Sequence, residues 1–277
     1  MTDQNLSLEI NTDLATRIIT DFVRTEIQRA GFERAVIGVS GGVDSALSCV
    51  LAAKALGPEK VLALFMPYAT TAKESRLHAQ QVIDTSGVQS ETIEITPMIE
   101  PLLADIPEDE LVRRGNIMAR IRMLVLYDRS ASFKGLVVGT GNKTEILLGY
   151  STLYGDNACA LNPIGDLYKT QVRQLARALK IPSEIINKPP SADLWVGQTD
   201  EDELGFTYEE IDRLLIHLVD GRYDLEACIA AGFKKDFVEA LLKRIRQNQF
   251  KRMMPPIAKL SNRTVGYDFL YPRDWGT

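Results

Sequence analysis

A chain of 277 residues, 45% hydrophobic and 25% charged, has the composition of a globular protein with a large buried core. Its formal net charge of -5 argues against a dedicated binder of nucleic acid or of a membrane surface. Three scattered cysteines, Cys49, Cys159 and Cys228, with no C-x-x-C pair, argue against a disulfide framework or a zinc site and point to a reducing compartment. The start, Met1-Thr2-Asp3-Gln4-Asn5, has no basic-then-apolar leader, and no run approaches the ~18 apolar residues of a membrane span. A cytoplasmic location without a membrane or nucleic-acid partner is the expectation.

Leu14, Ile18, Ile19, Phe22, Val23 and Ile27 recur at helical spacing, which predicts an amphipathic helix over 14–30, ended by Gly31 and covering a sheet. The apolar run 35–39 is short enough for a buried parallel strand, and 46–56 reads as a helix closing at Gly57-Pro58. Between them stands Ser40-Gly41-Gly42-Val43-Asp44-Ser45. Paired glycines let backbone N–H groups converge, the helix start adds positive dipole, and two hydroxyls face the same anion. Asp44 beside a bound phosphate is repulsive unless a cation lies between them, which points to Mg²⁺. The phosphate loop G-x-x-x-x-G-K-[ST] and the dinucleotide pattern G-x-G-x-x-G are both absent.

Further along, 61–66 is a second buried strand stopped by Pro67, 71–85 a helix, and 91–95 a third, shorter strand. The Pro- and acid-rich stretch 96–110 reads as a loop with a short helix, and 111–132 as a long helix with five arginines. Residues 135–140 form a fourth strand ending in a glycine turn. Such alternation implies parallel pairing with right-handed crossovers, and places the strand ends after Val39, Met66 and Val138 at one site. The stretches 140–145 and 149–156 are too dense in glycine, small polar groups and carboxylates for a simple connector. A helix follows over 170–179. The irregular stretch 188–205, with Asp200, Glu201, Asp202 and Glu203, is expected to be a lid. Helices are predicted over 207–219 and 236–250, before a Pro-broken, aromatic-rich tail through Trp275. His78 and His217, the only histidines, lack ligand-spaced partners and read as structural. With no repeat or linker in view, a single domain over 1–277 is expected.

Ser-Gly-Gly-x-Asp-Ser resembles the signature of the N-type ATP pyrophosphatases. The wider set resembles the NAD synthetase family: Gly139 through Glu145, Tyr154-Gly155-Asp156, Pro163 with Lys169, Pro190 through Leu194, Gly197 through Glu201, and Lys251-Arg252. These follow in family order over about Gly38 to Arg252. The resemblance implies an α/β fold, a doubly wound parallel sheet flanked by helices (adenine nucleotide alpha hydrolase-like), with a C-terminal helical appendage. It implies amidation of deamido-NAD to NAD through an acyl-adenylate, with AMP and pyrophosphate as the other products. Gly38, Val39, Ser40, Gly41, Gly42, Val43, Asp44 and Ser45 would hold the ATP phosphates, and Thr140, Lys169 and Ser191 match further ATP positions. Asp44 and Glu145 match Mg²⁺ ligands, and Arg120 and Lys251 match contacts to deamido-NAD. Asp44, Lys169 and Asp156 are the catalytic candidates, with Asp156 as proton acceptor.

Leu153, Ala160 and Phe250 depart from residues common in the family near the dinucleotide site. Too few residues precede the glycine loop for a glutaminase domain, so free ammonia is the expected nitrogen donor, or ammonia from a separate glutaminase subunit. The family also implies a homodimer, with the first helix and the arginine-rich helix as interface candidates. Two rival readings stand beside this one. Another amidating or thiolating ATP pyrophosphatase would show a basic face, a cysteine pair or a different loop pattern. A non-catalytic adenine-nucleotide-binding module would not need both Asp44 and Glu145.

Overall fold

Strand β1 (Arg34–Gly38) pairs in parallel with β2 (Val61–Phe65) on one side and β4 (Gly135–Val138) on the other. Strand β3 (Gln89–Thr92) adds to β2, giving the order β3-β2-β1-β4 in a computed structural model that describes residues 6–195 and 197–269. The leader reading at Met1 to Asn5 and the end of the tail, residues 270–277, lie outside those residues. Side chains alternate along the inner strands. Ala35, Ile37, Val61, Ala63 and Phe65 face one apolar cluster, whereas Val36, Leu62 and Leu64 face another. Both faces are therefore apolar, and each is covered by helices.

The first face packs on α1 (Thr12–Arg29), α2 (Val43–Leu56), α3 (Lys73–Ser86), α7 (Lys169–Ala178) and α8 (Ser183–Asn187). The second packs on α4 (Thr96–Leu103) and α5 (Leu111–Phe133). This is the doubly wound parallel sheet expected from the strand and helix alternation. From β1 the chain steps outward through β2 to β3, then returns to lay β4 on the opposite edge of β1. That reversal is a switch point, where a crevice opens beyond the carboxyl ends of β1 and β4.

A third apolar cluster lies apart from the sheet. It joins α6 (Lys143–Leu148), α10 (Tyr208–Leu215), α11 (Leu225–Ala230) and α12 (Lys235–Gln247), with Leu204 from the short α9 (Asp200–Leu204). This is the expected C-terminal helical appendage. No helix among the described residues is long and apolar enough to cross a membrane.

The third strand begins earlier than its apolar residues suggest. Gln89 to Thr92 pair with Leu62 to Phe65, and the ladder of backbone bonds continues as Ile93 and Ile95 donate to the Phe65 and Pro67 carbonyls. Four short helices, α6, α8, α9 and α11, arise where no helix is predicted from the apolar pattern. Five or six residues are too few to show a 3.6-residue period. Caps rather than periodicity mark two of them: Asn142 and Glu145 form a capping box on α6, and Thr199 caps α9.

Asp212 ties the appendage to the sheet. This wholly buried carboxylate on α10 accepts a hydrogen bond from Thr144 Oγ1 on α6 at 2.5 Å and from the Thr170 N–H on α7 at 2.8 Å. Thr144 Oγ1 in turn accepts from the Lys169 N–H at 3.1 Å. Removing the carboxylate leaves two enclosed donors without an acceptor. Asp212→Ala is expected to cost about 2–4 kcal/mol, read as a lowered urea midpoint with an unchanged slope.

Candidate active site

A cavity of about 530 Å³ opens at the switch point, walled by the ends of β1, β2 and β4, the glycine loop, and residues 188–195. The strand ends after Val39, Met66 and Val138 all border it, as the parallel reading predicts. Gly41 lies behind the loop rather than in the cavity wall. Its φ is +85°, and a Cβ there would stand 2.4 Å from the Ser75 carbonyl oxygen of α3. Only glycine permits that approach. The loop then delivers Gly42 as the N-cap of α2, with no side chain occupying the helix start. Ser40 and Ser45 stand with hydroxyls 3.1 Å apart, and Ser45 Oγ donates to the Gly42 carbonyl at 3.0 Å. The geometry is that of an anion cradle.

Lys169, the first residue of α7, reaches this loop from the far side of the sequence. Its Nζ lies 2.5 Å from Asp44 Oδ2 and 3.1 Å from Glu145 Oε1, and its side chain is 3% exposed. Asn142 holds the other two oxygens: its Nδ2 donates to Asp44 Oδ1 at 2.9 Å, and its N–H donates to Glu145 Oε2 at 3.3 Å. Burial on its own would lower the Lys169 pKa, but Asp44, Glu145 and Asp200 together hold it above the ordinary lysine range. Glu145 moves the other way from a normal carboxyl. Enclosure raises its pKa to about 8, opposed by Lys169 and reinforced by Asp44 and Asp200.

Two carboxylate oxygens thus converge on one cation position beside an anion cradle. Hard oxygen donors in that number suit Mg²⁺, which takes one or two protein carboxylates and completes its shell with phosphate oxygens and water. Among the described residues no group of three or more His, Cys, Asp or Glu is arranged to hold a metal.

Asp200 falls in the Gly197–Glu201 motif, which by itself implies no role for it. It is buried and accepts from Tyr150 Oη at 3.1 Å and Tyr208 Oη at 3.0 Å, with the Tyr208 ring 4.9 Å from Lys169 Nζ. Burial, then the surrounding carboxylates, keep the Tyr208 phenol well above its usual pKa, so it remains a donor. The expected lid is accordingly anchored. Asp200 pins α9, Gln198 bonds the Leu194 N–H and Glu203, and Leu194 packs so close to Gly115 of α5 that a Cβ there would meet it at 2.8 Å.

On the opposite wall, Asp156 opens into the cavity and accepts from the Thr152 N–H at 2.6 Å. The surrounding protein withdraws it from bulk water and raises its pKa, with the Thr152 N–H and Lys251 opposing. Lys251 Nζ donates to the Gly149 and Ser151 carbonyls, both at 2.7 Å, so it also fastens the turn that carries the cavity rim. Thr140 and Ser191 border the cavity as expected. Arg120 does not. It donates to the Leu153 carbonyl at 3.3 Å and lines a separate depression with Trp195. Two residues along α5, Arg122 faces inward instead and donates to the Met66 carbonyl at 3.1 Å. Sequence reasoning passed over Arg122 as one arginine among five; which of them faces inward depends on how α5 is rotated against the sheet. Leu153, Ala160 and Phe250 do not line the cavity.

The NAD synthase family model matches residues 15–255. The NH(3)-dependent NAD(+) synthetase of Trichlorobacter lovleyi is 55% identical over 269 residues, covering 97% of this chain and 98% of that protein. Among solved structures, the NMN synthetase of Francisella tularensis superposes with a TM-score of 0.80 at 32% identity, over 91% of this chain and 100% of that one. The NH3-dependent NAD synthetase of Campylobacter jejuni, in complex with nitrate, does so with a TM-score of 0.77 at 33% identity and the same coverage. A matched span that includes the glycine loop, Lys169, Asp200 and Lys251 leaves one conclusion: the chain belongs to the NAD synthase family.

Proposed function

We propose that this cavity carries out the ATP-dependent amidation of deamido-NAD by ammonia, giving NAD, AMP and pyrophosphate. The observation that carries the reading is Lys169 held between Asp44 and Glu145 against an anion cradle. The nicotinate carboxylate attacks the α-phosphorus of ATP, the bond to the β-phosphate breaks, and pyrophosphate leaves. Ammonia then adds to the acyl carbon, the bond to AMP breaks, and a proton is lost from nitrogen. Both partners in the first step are anionic, so their approach requires positive charge. Lys169 and the start of α2 supply it, beside the hydroxyls of Ser40 and Ser45. Asp44 and Glu145 would hold Mg²⁺, which when bound would screen the phosphates and stabilise the departing pyrophosphate. Asp156 is placed in the cavity wall, and its raised pKa suits a group that accepts the proton from nitrogen. Residues 188–195 and α9 keep water from the adenylate.

The three cysteines are free, two of them buried, which supports a cytoplasmic location. A homodimer is supported by apolar side chains left exposed on two helices: Leu14, Ile18 and Phe22 on α1, and Leu124 and Tyr127 on α5. Sedimentation of the purified chain is expected to show a dimer, and Ile18→Asp to shift it toward monomer.

Pyrophosphate release with ATP, Mg²⁺ and ammonium is expected to depend on deamido-NAD and to yield NAD by mass. Asp44→Ala and Lys169→Ala are each expected to lower kcat by about a hundredfold or more. Because the Francisella neighbour is an NMN synthetase, nicotinate mononucleotide is run as a competing carboxylate; preference for the dinucleotide is the expected result. Release without NAD formation would refute the proposal.

Glu145 also gives the protein a pH signature. A carboxyl that titrates at about 8 when folded and at its ordinary 4.5 when unfolded binds more protons in the folded chain between those values. Its contribution to stability is fully present below pH 4.5 and is lost as pH rises toward about 8. Urea denaturation at pH 5.5 and 8.5 is expected to show a decline in stability that is smaller in Glu145→Gln.

A further inference from the structure

We propose that Lys169 is an internal counter-cation that occupies the seat between Asp44 and Glu145, so that the protein takes up a divalent cation with ATP and not by itself. This deepens the function proposed above and rests on Asp44 and Glu145 being the metal-holding pair.

Four observations carry it. First, Lys169 Nζ contacts both acids, at 2.5 and 3.1 Å, with side chains 3%, 17% and 18% exposed for Lys169, Asp44 and Glu145. At such separations and burial the attraction is far stronger than for a surface pair, and salt screens it little. Second, no carboxylate oxygen of the pair is left idle: Asn142 engages one oxygen of each acid, and Lys169 the other. A metal entering alone between the two acids competes with the ammonium for these oxygens. Third, the lysine is held from behind. Its N–H is fixed on Thr144 Oγ1, itself bonded to Asp212, and the Tyr208 ring lies 4.9 Å from its Nζ. Fourth, the described residues offer no third His, Cys, Asp or Glu arranged with this pair to hold a metal.

Charge decides the outcome. The two acids and one ammonium carry at most a single negative charge in excess, which a divalent ion alone would convert to a crowded positive excess a few ångströms wide. The phosphates of ATP reverse that balance. They supply oxygens for the metal and, at the same moment, a new anionic partner for the displaced ammonium. The lysine therefore changes partners rather than losing one, and the site refuses free metal while accepting the metal–nucleotide pair.

The test follows Mn²⁺, as a paramagnetic probe of the Mg²⁺ seat, by electron paramagnetic resonance on the full chain. Wild type is expected to bind Mn²⁺ at least about tenfold more weakly alone than with α,β-methylene-ATP. Lys169→Met is expected to bind Mn²⁺ alone at least tenfold more tightly than wild type, and to gain thermal stability when Mg²⁺ is added. Lys169→Arg, which keeps the positive charge, is expected to behave as wild type toward free Mn²⁺. Equal binding by wild type with and without nucleotide overturns the proposal without any mutant. Unchanged free-metal affinity in a folded Lys169→Met also overturns it. Asp44→Asn separates the two levels: full Mn²⁺ uptake with nucleotide in that variant refutes the metal-holding pair itself, whereas lost uptake there with an unresponsive Lys169→Met refutes only the counter-cation.

Discussion

Two carboxylates brought together in a wall of low polarity repel each other unless a cation stands between them, and here that cation is a lysine side chain. Asp44 comes from the start of α2, Glu145 from the first turn of α6 and Lys169 from the start of α7. Each lies in the first turn of its helix, where the backbone offers N–H groups and positive dipole. Three helix starts thus converge on one point, and a single ammonium satisfies the two acids that accompany them. Ion pairs at this depth add little net stability, because desolvation offsets most of their attraction. Their value lies in position. The pair sets charge where a phosphate chain is to be handled.

Much of this was legible before the fold was known. The strand–glycine–helix unit of 35–56 reads directly, because the apolar run is bounded by glycine at both ends of the turn. Asp44 was also informative, since a carboxylate at an anion site demands a cation. The cation beside it in the structure is Lys169, 125 residues away, and neither spacing nor periodicity links those positions. Only the family resemblance placed Lys169 in the site. Arg120 and Arg122 show the converse limit. Both lie on a helix whose existence was plain, yet which one faces the cavity depends on how α5 is rotated against the sheet. The role of Asp200 does not follow from its motif, because its partners, Tyr150 and Tyr208, lie in separate segments.

The helical appendage is joined to the chemistry by buried oxygen atoms rather than by apolar contact alone. Asp212 fixes α6 and α7, which carry Glu145 and Lys169, and Asp200 fixes Tyr208 behind the lysine. Apolar packing in the third cluster supplies the driving force. The polar atoms determine where each helix start must stop, because misplacing either acid would strand a buried donor.

The separation of Asp44 from Lys169 also has a consequence for synthesis. A ribosome adding ~5–20 residues per second needs roughly 6–25 s to make the intervening 125 residues. During that interval β2, β3, β4 and then Glu145 are added to β1, its glycine turn and Asp44, and the lysine comes last. Asp212 emerges later still. The order of translation therefore leaves the acidic half of the site waiting in water, and the last helices to be made lock it into its dry setting.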